Sequence, residues 1–216
     1  MEKLLCPSMM CANYGNLGEE VEKLEEAGAD IFHIDIMDGQ FVPNFGMGLQ
    51  DVEFICKKAT IPVDAHLMIE NPGSYVEKFA KMGIKIIYIH PESDVHPTRT
   101  LQSIIDAGAT PGIAINPGTA VATIKPLLPF VKYVMVMSVN PGFAGQKYIS
   151  SVDEKIKELI ELKEKYGYEV MLDGACSPER VETLSKMGVK GFILGTSALF
   201  GKGKPYKELL DGLRAL

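Results

Sequence analysis

Four side chains spread along this sequence are of the types that hold a divalent cation: His33, Asp35, His66 and Asp173. His33 and Asp35 stand two apart in an apolar run, so in an extended strand both point to one face. His66 ends a second such run, Asp64-Ala65-His66, and Asp173 follows a third. Alone, each reads as an ordinary polar residue at a strand end. Together, two imidazoles and two carboxylates make an N/O donor set suited to one divalent metal ion, Zn²⁺, Fe²⁺, Mn²⁺ or Co²⁺, with availability deciding among them. His90 and His96 have no evident partner and read as rim residues, His90 as a candidate support behind a ligand.

A second constellation could hold an anion. Asn140-Pro141-Gly142-Phe143-Ala144-Gly145-Gln146 and Gly195-Thr196-Ser197 are glycine-containing turns late in the chain, with Asp173-Gly174-Ala175 between them. Small residues let backbone N–H groups approach a phosphate closely. The apolar stretch after Ser197 is expected to begin a helix, whose dipole would add positive potential. Methionine is abundant at 11 residues, and Met10, Met37, Met68 and Met137 fall beside the polar positions. There they would give a dry, polarisable lining that strengthens electrostatic stabilisation of an oxyanion.

Strands and helices must bring these residues together. Strands are expected at Leu4–Met9, Ile31–Ile36, Val63–Leu67, Lys85–Ile89, Pro111–Ile115, Tyr133–Met137, Glu169–Leu172 and Gly191–Leu194. Between them, apolar residues recur at helical steps, as in Leu17, Val21, Leu24 and Ala27. Glycine closes several helical patterns just before a strand, at Gly28, Gly83, Gly108 and Gly188, as a left-handed C-cap requires. Asn71-Pro72 and Ser177-Pro178 read as N-caps followed by proline in the first turn. Eight strand–helix units over residues 1–216 predict an α/β fold, a single-domain (β/α)8 TIM barrel, with its chemistry at the carboxyl ends of the strands. An open doubly wound sheet would need the dinucleotide glycine pattern after the first strand, and that pattern is missing.

Composition narrows the partners. Hydrophobic residues make up 46% and charged residues 23%, the profile of a folded soluble chain. The net charge of −6, from 22 basic and 28 acidic residues with no basic tract, argues against nucleic acid or an anionic membrane. Four cysteines without a CxxC pair read as reduced thiols, so a cytoplasmic location is expected. An anionic ligand would have to be held by local geometry, because the overall field repels it.

Pro7-Ser8, His33-Ile34-Asp35-Ile36-Met37-Asp38-Gly39, Phe41-Val42-Pro43-Asn44, Asp64-Ala65-His66-Leu67-Met68, Met137 to Phe143 and Asp173-Gly174 occur in this order. The set resembles the ribulose-phosphate 3-epimerase family from about residue 4 to about residue 200. The resemblance implies a ribulose-phosphate-binding barrel and a metal-dependent isomerase that inverts C3 of a ketose phosphate through an enediolate. By resemblance, His33, Asp35, His66 and Asp173 hold the metal, Asp35 accepts the proton and Asp173 donates it. Ser8, His66, Gly142 to Gly145, Asp173 to Ala175 and Gly195-Thr196 bind the sugar phosphate. Met10-Cys11, His90-Pro91-Glu92, Phe143 to Gln146, Asp173 to Cys176 and Gly195 to Phe200 look more like the D-allulose-6-phosphate branch. That branch acts on a hexulose phosphate, with D-ribulose 5-phosphate the alternative substrate. Beyond a small phosphorylated ketose, the expected partner is further copies of the chain in a homo-oligomer. A lyase barrel would want a lysine at a strand end, but Lys85 and Lys190 fall at strand starts. A non-catalytic sugar-phosphate-binding barrel would leave the four-residue set without a role.

Overall fold

In the computed structural model, residues 3–216 are described, and Met1 and Glu2 of the expected 1–216 span lie outside them. Of eight strands, β1 (Leu4–Pro7), β2 (Phe32–Met37), β3 (Val63–Met68), β4 (Ile86–Ile89), β5 (Thr110–Ile115), β6 (Tyr133–Met137), β7 (Glu169–Asp173) and β8 (Gly191–Leu194), β2 to β8 pair in parallel in sequence order and β1 pairs in parallel with β8. The helices are α1 (Leu17–Glu26), α2 (Leu49–Lys58), α3 (Val76–Met82), α4 (Pro97–Asp106), α5 (Val121–Ile124), α6 (Val152–Tyr166), α7 (Pro178–Met187) and α8 (Tyr206–Ala215). This is a (β/α)8 barrel.

Alternation along each strand divides the interior. Outward residues such as Leu5, Ile34, Leu67, Ile87, Ile113, Val136, Leu172 and Phe192 pack beneath the helices. Inward residues Cys6, Ile86, Tyr88, Ala114, Met135, Met171 and Ile193 form a separate apolar cluster on the axis. Strands covered on both faces read as nearly unbroken apolar runs, which made them visible in the sequence. The helices show the complementary period: α6 buries Val152, Ile156 and Leu159, one stripe along its length.

The ring closes differently from its other joints. Among the described residues, β1 and β2 meet through one parallel bridge, Ser8 with His33. Below it the Asp30 N–H donates to Leu5 O (3.0 Å) and the Leu5 N–H to Asp30 Oδ2 (2.8 Å). β1 ends at Pro7 rather than Met9, because Met9–Cys11 turns back through a Cys11 N–H to Ser8 O bond of 3.0 Å.

Gly28, Gly83, Gly108 and Gly188 all have positive φ, as their place after helices requires. Ser177 caps α7, its Oγ accepting from the Arg180 N–H at 3.3 Å. Asn71 does not cap a helix. It sits in the left-handed region (φ 51°) without a side-chain cap bond and opens only the short turn Pro72–Ser74, and α3 starts at Val76. A residue before proline is pushed away from helical backbone, and asparagine tolerates the left-handed alternative. The stretch after Ser197 is likewise not a helix. The Leu199 and Phe200 N–H groups turn back to Gly195 O at 3.1 and 3.3 Å, and Gly201, Gly203 and Pro205 defer the helix to Tyr206. The helix dipole expected at that loop is therefore absent.

Candidate active site

At the carboxyl ends of the strands, His33 and Asp35 of β2, His66 of β3 and Asp173 of β7 converge, each offering one donor atom within 4.8 Å of the others. His33 Nε2 lies 3.4 Å from Asp35 Oδ1 and 3.9 Å from Asp173 Oδ2. His66 Nδ1 lies 3.5 Å from Asp35 Oδ1 and 3.4 Å from Asp173 Oδ2. Both histidines are fully buried, and among the described residues these two nitrogens have no hydrogen-bond partner. Orphaned buried polar atoms are rare because they forfeit the hydrogen bonds water would give. Two of them facing two carboxylate oxygens leave a gap that a divalent cation fits.

The local field has the same sign. Burial alone would lower the His33 pKa, but the Asp64 and Asp35 carboxylates raise it well above the ordinary imidazole value. His66 is raised too, burial being outweighed by Asp173 and Asp35. Burial works against ionisation of Asp35, yet His33 and His66 hold its carboxyl far below the usual range.

Each of these side chains is held from behind. The Ser8 hydroxyl donates to Asp35 Oδ2 (2.6 Å) across the β1–β2 seam. Gly46 lies so close to β2 that a Cβ there would overlap the Asp35 carbonyl, and the Met47 N–H donates to that carbonyl at 2.9 Å. Ser138 fixes the end of β7, its N–H donating to Asp173 O at 2.8 Å and its hydroxyl to Gly174 O.

One open cleft of about 560 Å³, solvent at its mouth included, lies above the cluster. Ser8, Met10, Asp35, Met37, Met68, Met137, Gly142, Phe143, Ala144, Gly145, Asp173, Gly174, Ala175, Gly195, Thr196 and Ser197 all line it. Of the expected sugar-phosphate contacts, His66 alone is not in that lining. It stands behind it with His33. None of the described lining residues is Lys or Arg. Asn44 Nδ2 donates to Gly142 O (2.7 Å), tying the loop after β2 to the loop after β6 across the mouth.

His90 is not the rim residue expected, but it does stand behind a candidate ligand, the other role the sequence offered for it. It is fully buried, with Nε2 2.8 Å from His66 Nε2 and Nδ1 3.4 Å from Glu92 Oε2. Burial lowers its pKa to about 4, Glu92 opposing, so the ring is neutral at pH 7. His96 is exposed and precedes α4. Sequence reasoning assigned no role to Asp64, whose Oδ1 is 2.6 Å from His33 Nδ1. The signal was there: Asp64 and His66 repeat the two-residue spacing of His33 and Asp35 and so share an inward face.

The comparisons with known proteins fit this geometry. A family model described as the ribulose-phosphate 3 epimerase family matches residues 4–200. The chain belongs to the ribulose-phosphate 3-epimerase family. Members include the ribulose-phosphate 3-epimerase of Aquifex aeolicus, 39% identical over 92% of this chain and 90% of that one. That of Helicobacter pylori (strain J99) is 40% identical over 97% of this chain and 96% of that one. As in the rest of the family, the protein is an isomerase of the epimerase class acting on a carbohydrate phosphate. A solved structure of KGPDC from Streptococcus mutans superposes with a TM-score of 0.73 over all of this chain and 97% of that one, at 12% identity, a likeness of fold. Among the described residues no helix is long and apolar enough to cross a membrane.

Proposed function

We propose that this protein is a metal-dependent 3-epimerase converting D-ribulose 5-phosphate to D-xylulose 5-phosphate by inversion at C3. The observation that carries this reading is the pairing of Asp35 and Asp173, from strands on either side of the β8–β1 segment, around two buried imidazoles at the floor of one cleft. His33 Nε2, His66 Nδ1 and one oxygen from each carboxylate would hold the metal. When bound, the ion supplies Lewis-acid stabilisation of the enediolate oxygens.

Inversion needs a proton taken from one face of C3 and returned to the other, hence two acid–base groups. Asp35, kept ionised by its imidazole neighbours, accepts the proton. Asp173 donates to the opposite face, and the two exchange roles when the reaction reverses. Met10, Met37, Met68 and Met137 exclude water from the reacting carbon. The substrate phosphate binds at the turns Gly142 to Gly145, Gly174-Ala175 and Gly195 to Ser197. There backbone N–H groups and the Thr196 and Ser197 hydroxyls replace the absent cationic side chains.

The names of the relatives favour the pentulose phosphate. D-allulose 6-phosphate is the second reading, because Met10, Cys11, Ala144, Ala175 and Cys176, among the residues that suggested it, line the cleft, whereas His90 to Glu92 and Ala198 to Phe200 do not. The deciding experiment measures kcat/KM for both sugars before and after exhaustive chelation. The proposal expects a higher value for D-ribulose 5-phosphate, loss of turnover on chelation and recovery with added divalent ion. Preference for D-allulose 6-phosphate reverses the substrate assignment. Turnover that survives complete metal removal overturns the metal's role.

A further inference from the structure

The two imidazoles reach the same gap through different nitrogens, His33 through Nε2 and His66 through Nδ1. Each must therefore carry its proton on the opposite nitrogen to leave a lone pair free. For His66 this is the Nε2–H form, the one a neutral imidazole side chain prefers in water. A neutral neighbour suffices there: the His66 Nε2–H donates to His90 Nε2, and His90 Nδ1 faces Glu92. For His33 it is the Nδ1–H form, the less favoured of the two. What stands behind His33 Nδ1 is a carboxylate oxygen at 2.6 Å, Asp64 Oδ1, placed to accept from an Nδ1–H.

We infer that Asp64 is a positioning residue for the metal centre, imposing on His33 the tautomer that presents Nε2 to the ion. The inference rests on the metal-dependent reading above. Asp64 is fully buried, and its other oxygen has no partner, so its hydrogen-bonding is committed to His33. Beneath it lies the apolar axis of the barrel, where Tyr88 sits with its ring centroid 6.4 Å from that of His33. Among the described residues no second hydrogen bond reaches the carboxylate, not even from the Tyr88 hydroxyl. Replacing the carboxylate by an amide, as Asp64→Asn does, leaves the volume but lets an amide N–H face His33 Nδ1, which favours the Nε2–H form and blocks the ligand nitrogen.

The test is the affinity of purified protein for Zn²⁺ and Co²⁺, measured by chelator competition, with ¹⁵N-imidazole spectra of the zinc-loaded form. Asp64→Asn should bind both ions about 10- to 100-fold more weakly, with kcat falling while KM changes little. His90→Gln, behind the other imidazole, should lose less. Asp64→Asn with affinity within about twofold of wild type, or an equal loss in His90→Gln, overturns the inference. Should Asp64→Asn fail to fold, the wild-type spectrum decides: His33 must show Nδ1–H and His66 Nε2–H, and the reverse pattern overturns the assignment. A wild type that binds neither ion removes the metal reading itself, a different outcome from an unaffected variant.

Discussion

The lower inner layer of the barrel and the upper one are built from the same strands, two residues apart. Cys6, Tyr88, Met135, Met171 and Ile193 close the axis by apolar contact. One inward step further along each strand stand Ser8, His90, Met137, Asp173 and Gly195. Below, every polar group is a liability, and the Tyr88 hydroxyl, buried without a partner, illustrates the cost. Above, orphaned nitrogens and crowded carboxylates are kept together because the chemistry needs them. The polar set dips into the lower layer at one place, the His33–Asp64 pair on β2 and β3. A packed floor is what lets the mouth carry strain: well-filled apolar layers hold the strand ends in register, and the strand ends hold the ligands.

Substitutions in the two layers should separate cleanly. The largest effect is expected at the top, where Asp35→Asn and Asp173→Asn each remove a proton-transfer group and should lower kcat by about 10²- to 10⁴-fold. Thermal unfolding should show the barrel intact in both. Either variant keeping near-normal turnover with metal bound would break the two-carboxylate account. The reverse signature is expected from the floor. Met171→Ala empties a fully buried site and should cost about 2–5 kcal/mol of stability. Each kcal/mol lowers the melting temperature of a chain this size by roughly 2–4 °C. Its kcat per folded molecule should stay close to wild type, and a drop like that of the carboxylate variants would mean that the two layers are not separable.

The smallest effect concerns backbone. Ala175 occupies the left-handed region with φ 46°, at the edge of the cleft. Such a conformation costs a residue with a Cβ about 1–2 kcal/mol. Glycine would relieve that cost but gains freedom in the unfolded chain, offsetting about 0.4–1 kcal/mol. Ala175→Gly should thus raise the urea midpoint slightly. A clear loss of stability would show that the methyl group makes contacts worth more than the strain.

The barrel was legible because its two periods are uncompromised. Strands buried on both faces read as apolar runs, and α1 and α6 show their stripes directly. The candidate ligands were legible as a set for a related reason: His33 and Asp35 interrupt such a run at a spacing that fixes their common direction. What escaped depends on contacts between strands rather than along them. The role of Asp64 exists only because β3 pairs with β2 in a register that sets it opposite His33. His90 meets His66 only through the pairing of β3 and β4. Gly46 looks like any loop glycine until its backbone is seen pressed against β2. The misplaced cap at Asn71 and the missing helix after Ser197 are local errors, where proline and clustered glycines outweighed the nearby pattern.

The joint between Ser8 and His33 gives the cylinder an unusual mechanical property. Seven joints of the hoop are ladders and the eighth is one bridge backed by the Asp30–Leu5 pair, and Ser8 at that bridge donates to Asp35. A ligand that settles onto that carboxylate would bear on the first stave as well as the second, linking the closure of the ring to the filling of its mouth.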